Sequence, residues 1–223
     1  MGLKIPKIAY RVRDEDGYMG TVWLDLYRDL FYDRVLFLSE DIDTGTLIRM
    51  QSLLYALRED YSDIYLYINS SDGGTRQAIG LYDTITTLGP DVCTLLLGFG
   101  KLAPSLILTG GADGKRGALP HARLMIQQLV ADHFSGPSHI LELREDTMLR
   151  RHDTVATIFA RHTGKPLSVI KKLLEREEVM SATKAKAYGI IDFISKKAVK
   201  GETQEEDDQE GDFDPKKYKS GNF

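Results

Sequence analysis

The stretch Gly98-Phe99-Gly100-Lys101-Leu102-Ala103-Pro104-Ser105 runs on into Leu106-Ile107-Leu108 and the pair Gly110-Gly111. Ahead of it lies Val92-Cys93-Thr94-Leu95-Leu96-Leu97, a β-branched and apolar run with the signature of a buried strand. A strand that breaks at glycine and enters an apolar helix is a strand–turn–helix, the shape of a nucleophile elbow. Such an elbow carries Ser or Cys at its tip, beside a helix N-terminus whose N–H groups stabilise an oxyanion. Here the tip reads Lys101-Leu102-Ala103. The frame of a hydrolase site is present, and its nucleophile is not.

Outward from the elbow, strand and helix signals alternate. Upstream, Val35–Leu38 and Ile64–Ile68 read as strands, the second rich in β-formers. Asp41 to Thr46 can cap a helix running from about Leu47 to Leu57, with Ile48, Leu53, Leu54 and Leu57 as its apolar stripe. Asn69-Ser70-Ser71-Asp72-Gly73-Gly74 breaks the second strand, and Thr75 to Leu88 is helical. Residues 1–20 have no clear period and read as an extended arm, and Trp23 to Phe31 as a short helix. Downstream, Leu124-Met125-Ile126 is a strand, and a long helix spans about 138–162 before Gly164 and Pro166. Helices near Leu167–Glu175 and Ala182–Tyr188, with Gly189 as C-cap, precede a last strand at Ile190–Ile194. This alternation predicts an α/β layered domain over about 33–197, with residues 1–32 as arm and short helix. From 198 to the end the chain is acidic, then Lys-rich, and reads as a disordered tail.

The chain has 223 residues, enough for one well-buried domain. Residues 200–223 hold eight Asp/Glu and four Lys, which accounts for the whole net charge of −4. With no basic field, a nucleic-acid partner has no electrostatic support. No apolar run reaches the roughly 18–20 residues that span a membrane, so no membrane role is expected. The single cysteine, Cys93, excludes an internal disulfide, fits a reducing compartment, and reads as a small buried apolar residue. The N-terminus lacks the apolar core of a signal peptide and the Arg/Ser-rich character of a transit peptide, so either no targeting peptide exists or it has been removed. His121, His133, His139, His152 and His162 show no metal-ligand spacing, and no metal or other cofactor is expected. His162, at a helix end, sits where a cation is favoured. Ser105 reads as a buried helix serine and Ser70 and Ser71 as turn residues. Asp83 and Asp192 read as structural hydrogen-bonding groups.

Ile64-Tyr-Leu-Tyr-Ile-Asn-Ser, Leu81-Tyr-Asp-Thr, Gly114-Lys-Arg, Leu119-Pro-His-Ala-Arg-Leu-Met-Ile, His162-Thr-Gly-Lys-Pro-Leu and Met180-Ser-Ala-Thr with Ala187-Tyr-Gly-Ile-Ile-Asp stand in one order and spacing. Together they resemble the proteolytic subunits of the Clp protease, the ClpP/ClpR family, over roughly 33–195. Pro120-His-Ala-Arg, Tyr188-Gly-Ile and the N-terminal Ile5-Pro-Lys-Ile-Ala-Tyr-Arg look most like the chloroplast-type subunit. The resemblance implies a crotonase-like spiral of ββα units, with the 138–162 helix as a protruding handle by which two seven-membered rings interlock. It implies as partners other ClpP/ClpR subunits in a double-ring tetradecamer and an ATP-driven AAA+ Clp unfoldase. The implied location is the chloroplast stroma, or else a cyanobacterial cytoplasm or another plastid.

The resemblance also says where catalytic residues belong. The family's serine, in Gly-Met-Ala-Ala-Ser-Met-Gly, falls on Leu102. Its histidine, in Met-Ile-His-Gln-Pro, falls on Gln127, and its aspartate on Leu173. A shift of one residue restores none of them. Leucine has no proton to give up and glutamine is no base near neutral pH, so no catalytic residue is assigned. Gly73 and Ala103 remain as remnants of the oxyanion region. The family's Asn-Ser-Pro-Gly-Gly becomes Asn69-Ser70-Ser71-Asp72-Gly73, where a carboxylate at Asp72 would repel a developing oxyanion; a slip of one residue keeps Gly73-Gly74 as the glycine pair. This is the pattern of ClpR subunits, which hold a place in the ring without cutting. Two other readings stand beside it: a divergent but active Clp serine endopeptidase, and a crotonase-superfamily acyl-CoA enzyme. A drifted organellar-genome copy of the ordinary subunit would differ in origin more than in biochemistry.

Overall fold

The computed structural model describes residues 6–13, 19–129 and 138–195. The chain first forms an antiparallel hairpin, β1 (Lys7–Arg13) with β2 (Met19–Asp25), pairing Lys7 with Asp25 and Arg13 with Met19. The first helix, α1, is Leu26–Tyr32. Residues 7–13 of the expected extended arm are thus paired strand, and one reading is corrected: Trp23 belongs to β2 rather than to a helix. Cross-strand hydrogen bonding organises a segment that shows no periodicity of its own.

β3 (Val35–Leu38), α2 (Thr44–Ala56), β4 (Ile64–Ile68), α3 (Thr75–Thr87) and β5 (Val92–Leu96) follow in alternation. Helix α2 starts three residues before the expected Leu47, because Asp43 caps it by accepting the Thr46 N–H at 2.7 Å. The next units each give one strand to a first sheet, one to a second, and then a helix. β5 and β6 (Phe99–Gly100) lead to α4 (Leu102–Thr109); β7 (Arg116–Ala118) and β8 (Arg123–Ile126) lead to α5 (Ser138–Thr163). α6 (Leu167–Glu175), β9 (Glu178–Ser181), α7 (Ala182–Tyr188) and β10 (Phe193–Ile194) complete the fold. The expected last strand is thus shorter than Ile190–Ile194. Residues beyond 195, where the acidic tail was placed, lie outside the described residues.

The first sheet is parallel throughout, in the order β10-β7-β5-β4-β3. The second is β6-β8-β9, with β6 parallel and β9 antiparallel to β8. Every residue of β5 is buried, as a central parallel strand covered on both faces requires. Helices pack in succession, α2 on α3, α3 on α4, α4 on α5 and α5 on α6, which gives the spiral its layering. Helix α5 has 26 residues, about 39 Å of helix. None of its described residues from 139 to 154 is buried, whereas Val155, Ala156, Ile158 and Phe159 enter the core. The helix is therefore anchored by its last turns, and its first half stands clear of the chain's own core.

Candidate functional site

The expected strand, glycine break and helix all form, with the two-residue strand β6 lying between the break and α4. Leu97 N–H donates to Ile68 O at 2.8 Å, which ends the strand in register with β4, and Lys101 is the N-cap of α4. All eight residues of α4 are buried. Pro104 lies in the first helical turn, where its missing donor costs little. The loop that follows β4 closes over this turn: Lys101 N–H donates to Ser71 O at 3.1 Å. A Cβ at Gly98 would stand 2.7 Å from Asn69 Oδ1, so a side chain there would have to push the exposed Asn69 amide aside.

Leu102, 4% exposed, opens α4 two residues beyond Gly100. Gln127, half-buried, follows β8 three residues beyond Leu124. Because Gly100 pairs with Leu124 in a parallel bridge, both residues leave the sheet at the same end. Leu173, also 4% exposed, lies on the buried face of α6 with Ile170 and Leu174, and joins the apolar cluster that contains Leu102. Two of the three positions are thus filled by side chains suited to a dry core, and the third by a neutral amide.

The two residues expected as remnants of an oxyanion region, Gly73 and Ala103, differ in condition. Ala103 is buried at the second position of α4. Gly73 bridges Ile42, and a Cβ there would meet Ile42 Cβ at 2.5 Å. Its N–H donates to Asp72 Oδ1 at 2.8 Å, while Asp72 Oδ2 pairs with Lys101 Nζ at 3.1 Å. The ion pair escaped the sequence reading, although both charges were visible; only the contact between the loop and the elbow makes them neighbours.

Other candidate residues have structural partners. Ser105 is fully buried and its hydroxyl donates to Gly100 O at 3.2 Å. Ser70 Oγ donates to Asp72 O at 3.0 Å and Ser71 Oγ to Asp41 Oδ1 at 3.3 Å, as turn residues do. Cys93 lies in β5, where burial and the neighbouring Asp63 carboxylate push its thiol up to about 12, far from a reactive thiolate. His121 and His139 are exposed, and His133 lies outside the described residues. His152, half-buried on α5, has Nδ1 3.9 Å from Asp153 Oδ1. Among the described residues no group of His, Cys, Asp and Glu comes together as a metal site, and none of the described helices is long and apolar enough to cross a membrane.

A second polar cluster joins residues from four separated motifs. Arg116 donates to both oxygens of Asp192, at 2.8 and 2.6 Å, and the Asp192 carboxylate also accepts the Arg116 N–H. Arg116 Nη1 lies 3.3 Å from His162 Nδ1, and His162 Nε2 lies 2.8 Å from the Tyr82 hydroxyl. A guanidinium only donates, so Nδ1 accepts and the ring proton sits on Nε2, directed at Tyr82. Burial, then the Arg116 charge, lower the His162 pKa. At this helix end, where a cation is favoured, desolvation and the adjacent arginine act in the opposite direction.

Comparison with known proteins agrees with this architecture. The family model described as Clp protease matches residues 18–198. An ATP-dependent Clp protease proteolytic subunit of Anthoceros angustus is 38% identical over 197 residues, covering 87% of this chain and 95% of its own. The chloroplastic ATP-dependent Clp protease proteolytic subunit 1 of Arabidopsis thaliana is 36% identical, with 87% and 99% covered. An ATP-dependent Clp protease proteolytic subunit of Marchantia polymorpha is 37% identical, with 87% and 96% covered. With the α/β spiral, the elbow and the matching motifs in place from end to end, this chain belongs to the Clp protease family.

Proposed function

We propose that this chain is a non-catalytic, ClpR-like subunit of an ATP-dependent Clp protease core, filling positions in a heptameric ring of plastid type. The observation that carries the reading is the chemistry at the elbow. Leu102 stands at the nucleophile position, Gln127 at the base and Leu173 at the orienting acid, and none can move a proton near neutral pH. The surroundings support it: Leu102 and Leu173 are packed in apolar core, and the nearby Ser105 hydroxyl is buried and engaged with Gly100 O.

The retained parts suit assembly. The exposed first half of α5 carries Leu143 and Leu149, 63% and 58% exposed, apolar surface that a second ring would cover. Partners are then other ClpP/ClpR subunits in a double ring and an AAA+ unfoldase. The chloroplastic relative supports a plastid location, and the stroma is the compartment proposed within it.

Labelling of the assembled particle with a fluorophosphonate serine probe, read subunit by subunit by mass spectrometry, tests the proposal. The chain stays unmodified while catalytic neighbours react. Modification of any of its own residues overturns the reading and names the nucleophile.

A further inference from the structure

We infer that Asp72 is a built-in anion that shuts the oxyanion site of this chain, so that the site is closed by a carboxylate as well as emptied of its triad. The inference rests on the reading of residues 98–103 as a former catalytic elbow. Its geometry comes from the loop after β4.

In the parallel bridge between Ile42 and Gly73, Ile42 N–H donates to Asp72 O at 3.3 Å and Gly74 N–H donates to Ile42 O at 2.9 Å. A parallel bridge uses the groups on either side of the bridging residue, so the N–H of Gly73 itself faces away from Ile42. Glycine is required there, because any Cβ would collide with Ile42. A backbone N–H turned away from the bridge, a lysine ammonium and the start of a buried helix form a setting that attracts negative charge. Lys101 supplies the ammonium as the N-cap of α4. An acyl-transfer site uses such a setting to hold a transient oxyanion.

Here the anion is permanent. Asp72 Oδ1 accepts from Gly73 N–H at 2.8 Å and Oδ2 from Lys101 Nζ at 3.1 Å. Lys101 N–H in turn holds Ser71 O, so the loop carrying Asp72 is tied to the elbow by backbone as well as by charge. A substrate oxyanion would have to displace a carboxylate attached to the very next residue. Return of a serine at 102 is therefore not sufficient to restore hydrolysis.

Hydrogen exchange of the Gly73 amide, in the full chain within its assembled particle, tests this directly. Asp72→Ala should speed exchange by at least about ten-fold, since it deletes the acceptor. Asp72→Asn keeps an acceptor oxygen and loses the charge, and should fall between the two. Unchanged exchange in Asp72→Ala overturns the inference. A second readout uses chains carrying Leu102→Ser, Gln127→His and Leu173→Asp, with and without Asp72→Ala. Fluorophosphonate labelling should be at least about ten-fold faster without Asp72, in line with the effect of one oxyanion donor. Equal labelling, including none in either, overturns the claim that Asp72 is what shuts the site. Labelling of the unaltered chain would instead overturn the non-catalytic reading, whatever Asp72 does.

Discussion

Arg34 shows how much one side chain can organise. Its guanidinium donates to the carbonyls of Leu57, Asp60, Ser62 and Asp63 at 2.9, 2.9, 2.7 and 3.2 Å, closing the whole loop between α2 and β4. It does so from a left-handed backbone position, φ 60°, which a non-glycine residue adopts only when its surroundings compensate. Arg34→Ala should lower unfolding free energy by about 2–3 kcal/mol, and Arg34→Lys should recover little of it, because an ammonium cannot reproduce the fork. Urea unfolding checks both. His162 gives a pH signature instead. Its folded pKa lies below the ordinary 6.5, so the unfolded chain takes up the proton first. The stability it contributes is complete above pH 6.5 and is lost as pH falls through that value toward the lower folded one. Urea unfolding between about pH 7.5 and 5 should show this loss, and His162→Gln should remove that component. Arg116 and Arg161 raise the cost of protonation, while Asp113 and Asp192 partly offset it.

Elements form where local signals and burial agree. Ala182–Tyr188 was legible to the residue: Ser181 caps it by accepting the Lys184 N–H at 3.3 Å, and Gly189 ends it at φ 80°. Leu167–Glu175 was equally plain, because Ile170, Leu173 and Leu174 lie on one face. β7 and β9 were missed, being three and four residues long and defined by their neighbours rather than by any period. Helix α5 combines both conditions, with a core-facing C-terminal half and an exposed N-terminal half. If that half packs against an opposing ring, Leu143→Asn with Leu149→Asn should leave chain stability within about 0.5 kcal/mol, since the sites are exposed, yet separate the rings. Sedimentation of the assembled particle would detect the separation. An intact double ring would show that the two leucines do not hold it.

At the scale of the molecule, four of the family motifs converge on one polar network. Tyr82, Arg116, His162 and Asp192, from four of the motifs that carry the family resemblance, meet in one network. On the proposed reading, Leu102, Gln127 and Leu173 stand where a triad would, without its chemistry. If positions 127 and 173 face each other, Leu173→Asp alone should cost about 3–5 kcal/mol as an uncompensated buried charge. Adding Gln127→His should return about 1–3 kcal/mol of that, measured as a double-mutant cycle. Zero coupling would separate the two sites. The sequence by itself determined the alternation of strands and helices, the glycine break before an apolar helix, and the family, because periodicity, turn glycines and residue identity are local properties. Tertiary structure alone decided that residues 7–13 and 19–25 pair as strands, that His162 is packed against Arg116 and Tyr82 with its pKa lowered, and that Asp72 reaches both Gly73 N–H and Lys101. Those outcomes depend on strand pairing, desolvation and charges from distant segments brought within about 3 Å, where hydrogen bonding and Coulomb attraction become strong.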